Sequence, residues 1–198
     1  AGAQTIVDGA HSFAHIQYTI PELGADYFGT SLHKWLCAPF GSGLLYVKKE
    51  HISMLYPHLA SPDPESTDIR KFESLGTRSF AIEQAIGQAL DFQYSIGNQL
   101  KQERLQYLKK YWTDAVKDHP KIHINTDPHP DRSCALCIVN MDGYKPSELG
   151  EALQNKFKIH TTAIEYENVM GVRVTPHVYT VTADLDRLIT ALKSLADA

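Results

Sequence analysis

Cysteine is scarce in this chain: three residues among 198, an odd number, cannot build a disulfide framework. A reducing compartment is the simpler setting, and the cytoplasm is the expected location. Basic clusters interleaved with aromatics are also missing. Nineteen Lys and Arg stand against 23 Asp and Glu, a formal net charge of -4, which argues against nucleic acid as a partner. No apolar run approaches the ~20 residues that a bilayer helix needs. Residues 1–10 lack both the basic and the apolar region of a secretory leader, so no membrane partner is expected. Metal-ligand patterns are thin as well. Cys134 and Cys137 form a lone CxxC inside CALCIVNM, which reads as a strand, where side chains three apart face opposite sides. His11 and His15 are spaced i, i+4, but the glutamate of HExxH is absent and the stretch follows a strand. Two buried strand cysteines and no metal are the expectation.

What is present is enough apolar material, 43% of residues with 10% aromatic, to bury a core in one large or two modest domains. Thr5–Asp8, Ala25–Ser31 and Gly43–Lys48 read as short strands, and their rhythm suggests an open sheet of the α/β type. In such sheets ligands bind beyond the carboxyl ends of strands, where Asp8 and Lys34 fall. Residues 57–70 hold three prolines without periodicity and read as a surface loop. From about Ala81 to Lys117 the apolar spacing is helical, with Gly97 as a bend or break. After Pro120 the pattern reads strand (KIHIN), strand (CALCIVNMD), helix Pro146–Phe157, strands around 159–164 and 171–175, and a helix from Ala183 with Thr182 as its N-cap. The domain border is expected near residues 94–100, giving domains 1–95 and 96–198.

One segment stands well above background: VDGAH at 7–11, then GADYFGTSLHKWLCAPFGSGLLYV at 24–47, with GTRS at 76–79 and VRVTPHVYT at 172–180 as later landmarks. It resembles the class V aminotransferase family of pyridoxal phosphate enzymes, and more narrowly its isopenicillin N epimerase-like branch. The resemblance implies the second half of an aspartate-aminotransferase-like large domain followed by a smaller C-terminal α/β domain. It implies pyridoxal 5'-phosphate as cofactor and an amino acid or amine as substrate. The reaction would lie at the α-carbon: transamination, epimerisation or elimination.

Carried over residue by residue, Lys34 matches the Schiff-base lysine, an amine on a flexible stem that becomes nucleophilic when desolvated. Asp8 matches the carboxylate that pairs with the pyridine nitrogen, and His11 the group beside the cofactor ring and its phenolic oxygen. Read from the residues alone, these are equally a surface lysine, a turn aspartate and a satisfied loop histidine. Ser31 and His33 match phosphate contacts, with Leu32 between them where the family usually has a smaller residue. Gly76-Thr77 matches the pair that reaches the neighbouring subunit's cofactor phosphate, which implies a homodimer. A tight turn with Thr77 or Ser79 as N-cap is the plainer reading of the same residues. Arg173 matches the arginine that grips a substrate carboxylate, and Arg78 is a second candidate for anion contact.

Cysteine desulfurases and selenocysteine lyases resemble this family but carry a nucleophilic cysteine before the carboxylate arginine. HTTAIEYENVMG at 160–171 has none, and Cys37 is expected to be packing. Family members also carry a preceding region with the main phosphate-binding loop and a ring-stacking aromatic. The resemblance therefore implies that this polypeptide holds half of a cofactor site, and the competing readings are a cysteine desulfurase- or selenocysteine lyase-like enzyme and a non-catalytic fragment.

Overall fold

The computed structural model describes residues 2–198, which divide into two compact units, one ending at Asn98 and the other beginning at Gln99. In the first unit, β1 (Ile6–Asp8), β2 (Tyr27–Ser31) and β3 (Gly43–Val47) form a sheet in that order. The β1–β2 pair is parallel and the β2–β3 pair antiparallel, so this is a mixed sheet. Helices α1 (Ala81–Gln84) and α2 (Ile86–Ile96) follow a long segment broken by short 3-10 turns at Lys49–Met54 and Ile69–Glu73. Lys71 is buried there, its ammonium donating to the Pro64 carbonyl at 2.9 Å and tying the proline-rich loop to the 3-10 turn behind it.

The amino end of β2 is pinned by Asp26. Its carboxylate accepts from Lys48 Nζ at 2.8 Å and from the Thr5 backbone N–H at 2.8 Å, and lies 3.2 Å from His51 Nε2. The Lys48 ammonium, followed by the Thr5 N–H, holds this carboxyl far below the usual carboxylate range. The unit's buried apolar cluster is small: Leu32, Leu36, Ala38 and Ala89, with Phe13, Ile86 and Leu90 against it.

Helix α3 (Asn98–Val116), all but its first residue in the second unit, is separated from α2 by Gly97 at φ +86°, a backbone angle that only glycine adopts cheaply. Strands β4 (Ile122–Ile124), β5 (Cys137–Met141), β6 (Thr162–Tyr166) and β7 (Val169–Val174) form an all-antiparallel sheet of order β4-β5-β7-β6. Helices α4 (Pro146–Phe157) and α5 (Thr182–Ala196) complete it. Alternation builds the core. Cys137, Val139 and Met141 of β5 and Val172 and Val174 of β7 point to one face, where Trp112, Leu149, Leu153, Leu188 and Leu192 meet them.

Several sequence expectations need correction. Cys134 precedes β5 instead of lying on it, so the opposite-faces argument does not apply, although both cysteines are buried. The N-cap of α1 is Phe80, not Thr77 or Ser79, and that of α5 is Val181, with Thr182 as the first helical residue. There the Asp184 carboxylate accepts from the Val181 N–H at 3.3 Å and supplies the cap's role from within the helix. The strands expected at 159–164 and 171–175 run at Thr162–Tyr166 and Val169–Val174, a tight hairpin turning at Glu167 with φ +46°. No helix among the described residues is long and apolar enough to cross a membrane.

Candidate active site

Asp8 is the last residue of β1, in register with Gly29 of β2. The chain must turn directly behind it, and Gly9 permits this. A Cβ at Gly9 would stand 2.0 Å from the Phe28 ring, too close for any side chain. The Gly9 N–H donates to the Gly29 carbonyl at 2.8 Å, while the Gly9 carbonyl accepts from the Ser12 and Phe13 N–H groups at 3.0 and 2.9 Å. Within this turn the Ala10 N–H donates to Asp8 Oδ1 at 2.9 Å and fixes the carboxylate plane. The Thr30 hydroxyl lies 3.2 Å from the Gly9 carbonyl, bridging the end of β2 to the turn.

Lys34 sits in the turn that leads from β2 to β3. Leu32, Trp35, Leu36 and Ala38 around it are buried, and backbone bonds from Leu32 N–H to Ser42 O and from Ala38 N–H to Leu32 O close the loop at 3.1 Å each. Leu32, which departs from the family's small residue, is a core side chain packed with Leu36, Ala38 and Ala89. Burial of its neighbours anchors the lysine backbone and leaves the stem to the surface. Asp8, Gly29, Thr30, Ser31 and Lys34 line one open concavity of about 560 Å³ at the carboxyl ends of β1 and β2.

The other expected residues lie elsewhere. His11 and His33 do not line this concavity. His11 Nδ1 accepts from Trp35 Nε1–H at 3.4 Å, and His15, whose ring is stacked on Trp35, donates from Nδ1 to the His11 carbonyl at 2.7 Å. The His33 ring faces Phe40 at 4.9 Å, and its Nδ1 is buried without a partner. Gly76 and Thr77 are exposed in the loop before α1, with Gly76 at φ +70°. Arg78 donates from Nε to Glu83 at 2.7 Å and lies over the Phe80 ring. In the second unit Arg173 is half-buried on β7, across from Ile138 and Thr162, and its Nε is buried and unpartnered.

Cys37 departs from expectation: it is exposed, with φ +65°, and is not a packing residue. Cys134 and Cys137 are buried, and burial pushes the Cys134 thiol up to about 11 and raises that of Cys137. No group of three or more His, Cys, Asp or Glu that could hold a metal occurs among the described residues. Thr30 and Trp35 were overlooked as supporting residues. Their positions beside Ser31 and Lys34 are the only hint the sequence offers.

The aminotransferase class-V family matches residues 1–188. The chain belongs to that family. It is 29% identical to an isopenicillin N epimerase of Amycolatopsis lactamdurans, covering 98% of this chain and 53% of that protein. It is 30% identical to a putative cysteine desulfurase of Plasmodium berghei, over 86% of this chain and 38% of that protein. The chain thus spans about half or less of the length of these curated relatives. A solved structure of the lyase C-DES, with glycine covalently linked to its pyridoxal phosphate cofactor, superposes with a TM-score of 0.81. That match has 18% identity and covers 96% of this chain and 51% of that one. The α/β fold is therefore part of an aminotransferase-like fold, and the family indicates pyridoxal phosphate as the cofactor.

The residues of the first unit fit that group. An acid, an amine and two hydroxyls share one concavity, and a Cβ built on Gly29 would meet nothing within 4 Å, so the glycine leaves open the floor that a flat ring needs.

Proposed function

We propose that the protein is a pyridoxal phosphate-dependent enzyme acting at the α-carbon of an amino acid or amine, with Lys34 as the covalent anchor of the cofactor. The observation that carries this reading is the convergence of Asp8 and Lys34 on one concavity at the carboxyl ends of two adjacent strands. Pyridoxal phosphate, when bound, withdraws electrons from the α-carbon and weakens the bonds there. Asp8 presents a carboxylate to a protonated ring nitrogen. Its Oδ1 is already tethered to the Ala10 N–H, so the group arrives oriented. Lys34 would hold the cofactor through its amine and, on a long stem lining the same concavity, would be able to take up or return a proton at the substrate α-carbon.

Ser31 contributes a hydroxyl to the phosphate end, and His33, two residues on, is the second phosphate contact that the family resemblance implies. His11 serves the phenolic oxygen. Arg173 binds the substrate carboxylate, a role that suits a guanidinium whose buried Nε has no partner of its own. Gly76 and Thr77, exposed and unencumbered, contact the cofactor phosphate of a second copy in a homodimer, and Arg78 assists there as an anion contact. The setting is the cytoplasm. The large and small domains of the complete enzyme border near residues 95 and 96.

A desulfurase reading has the Plasmodium relative in its favour, but it requires an accessible thiol close to the substrate-binding arginine. Cys134 and Cys137 are buried and held as thiols, and residues 160–171, the stretch leading to Arg173, hold no cysteine. The epimerase-like reading is preferred on that ground. The test is borohydride reduction after incubation with pyridoxal phosphate, followed by peptide mapping. A single label at Lys34 that disappears in Lys34→Ala supports the proposal. Label scattered over many lysines, or retained in Lys34→Ala, refutes it.

A further inference from the structure

His15 and Trp35 form, with His11, a closed circuit of contacts behind the His11 side chain. His15 is 4% exposed, and its ring lies parallel to the Trp35 indole, centroids 3.7 Å apart and planes 5° apart. Its Nδ1 stands 2.7 Å from the His11 carbonyl. A carbonyl only accepts, so His15 carries its proton on Nδ1. The stacked His15 ring sets the plane of Trp35, itself 4% exposed, and that plane aims the indole N–H at His11 Nδ1, 3.4 Å away. The two ring planes cross at 69°.

Indole nitrogen is a donor only, so the His11 nitrogen it meets must carry a lone pair. We infer that Trp35, steadied by His15, is a positioning residue that fixes His11 as the neutral tautomer protonated on Nε2. The His11 backbone holds His15, His15 holds Trp35, and Trp35 returns to the His11 side chain, so one turn of chain sets both the direction and the protonation of its own exposed imidazole. The consequence for chemistry is a ring committed to donating through Nε2, which suits an oxygen that carries negative charge. That last step rests on the proposed cofactor, where the oxygen is the phenolic one; the tautomer itself does not rest on it.

The test reads the ring nitrogens of His11 by 15N NMR in the cofactor-free protein near pH 8, above the ordinary imidazole range. The Nε2–H form is expected to dominate. In Trp35→Phe, which keeps an aromatic face for His15 but removes the donor, the tautomer ratio should fall about three- to tenfold, the factor one net hydrogen bond supplies. An Nδ1–H ring in the native protein, or an unchanged ratio in folded Trp35→Phe, overturns the inference. Should Trp35→Phe fail to fold, the indole proton decides: it should exchange faster with solvent in His11→Ala, an exposed site, and an unchanged rate contradicts the bond. Loss of the borohydride label at Lys34 would remove the cofactor reading while leaving these spectra untouched, so the two failures are distinguishable.

Discussion

The two units are built on different principles. The second closes a core of seventeen buried residues around one face of an antiparallel sheet, with three helices laid over it. The first buries a cluster of only four, while Ile6, Phe40, Tyr56 and Phe80 stand 61–82% exposed. Beside the buried Phe28 of β2 and Val47 of β3, its sheet is held by polar fastenings: the Asp26 clasp with Lys48, His51 and Thr5, the Gly9 turn behind Asp8, and the His11–His15–Trp35 circuit. Packing stabilises without regard to direction, whereas hydrogen bonds fix the aim of particular atoms. The unit that carries Lys34 and Asp8 is thus the one organised by directional contacts, as expected where side chains must be oriented before a ligand arrives.

The largest effect expected from breaking this contrast is in the second unit. Leu192 is fully buried among the residues of that core, and Leu192→Ala should cost about 2–5 kcal/mol of stability, read from denaturant midpoints. A loss below about 1 kcal/mol would mean that the core is looser than its burial indicates. Next comes a chemical effect with little structural cost. Asp8→Asn keeps an oxygen for the Ala10 N–H and sits at an exposed position, so the thermal midpoint should hardly move. Turnover in the complete enzyme should fall by about 3 kcal/mol of barrier, on the order of a hundredfold. Equal turnover would assign the ring nitrogen to another partner.

The smallest effect is electrostatic and belongs again to the packed unit. The folded Cys134 thiol is raised to about 11 by burial, above its value near 8.5 in an unfolded chain. The raised value means that stability from this group is complete below about pH 8.5 and declines as pH rises from there toward 11. Denaturation at pH 8 and pH 10 should show that decline, diminished in Cys134→Ala. In the native protein at pH 8, alkylation should strike Cys37 before either buried thiol.

The elements themselves were largely legible. Helix α4 runs Pro146–Phe157, the range its proline start and apolar spacing suggest, and Gly97 interrupts the long helical stretch because its φ is positive. Apolar runs ending where polar residues take over marked β2, β3 and β5, whereas the bounds of the β6–β7 hairpin were misplaced by one to three residues because its turn uses Glu167, which carries no turn signature. Caps were misread where a carboxylate inside the helix serves the orphan N–H, as Asp184 does for Val181. Directions of neighbouring side chains were the least legible. His33 and Lys34 are adjacent, yet only Lys34 lines the concavity, and nothing in the spelling HKWLC shows that Cys37 takes a left-handed turn that leaves it exposed.

Hydrogen exchange with and without pyridoxal phosphate, fixed by borohydride, tests the account most directly, because it asks both where the ligand acts and which unit feels it. Protection should rise in the backbone at 8–13 and 29–36, where the turns holding Asp8, His11 and Lys34 lie, while β5, β7 and α5 of the second unit keep their rates. Protection that rises only in the second unit, or a labelled protein whose 8–13 and 29–36 segments exchange as before, would contradict the assignment of the cofactor site to the first.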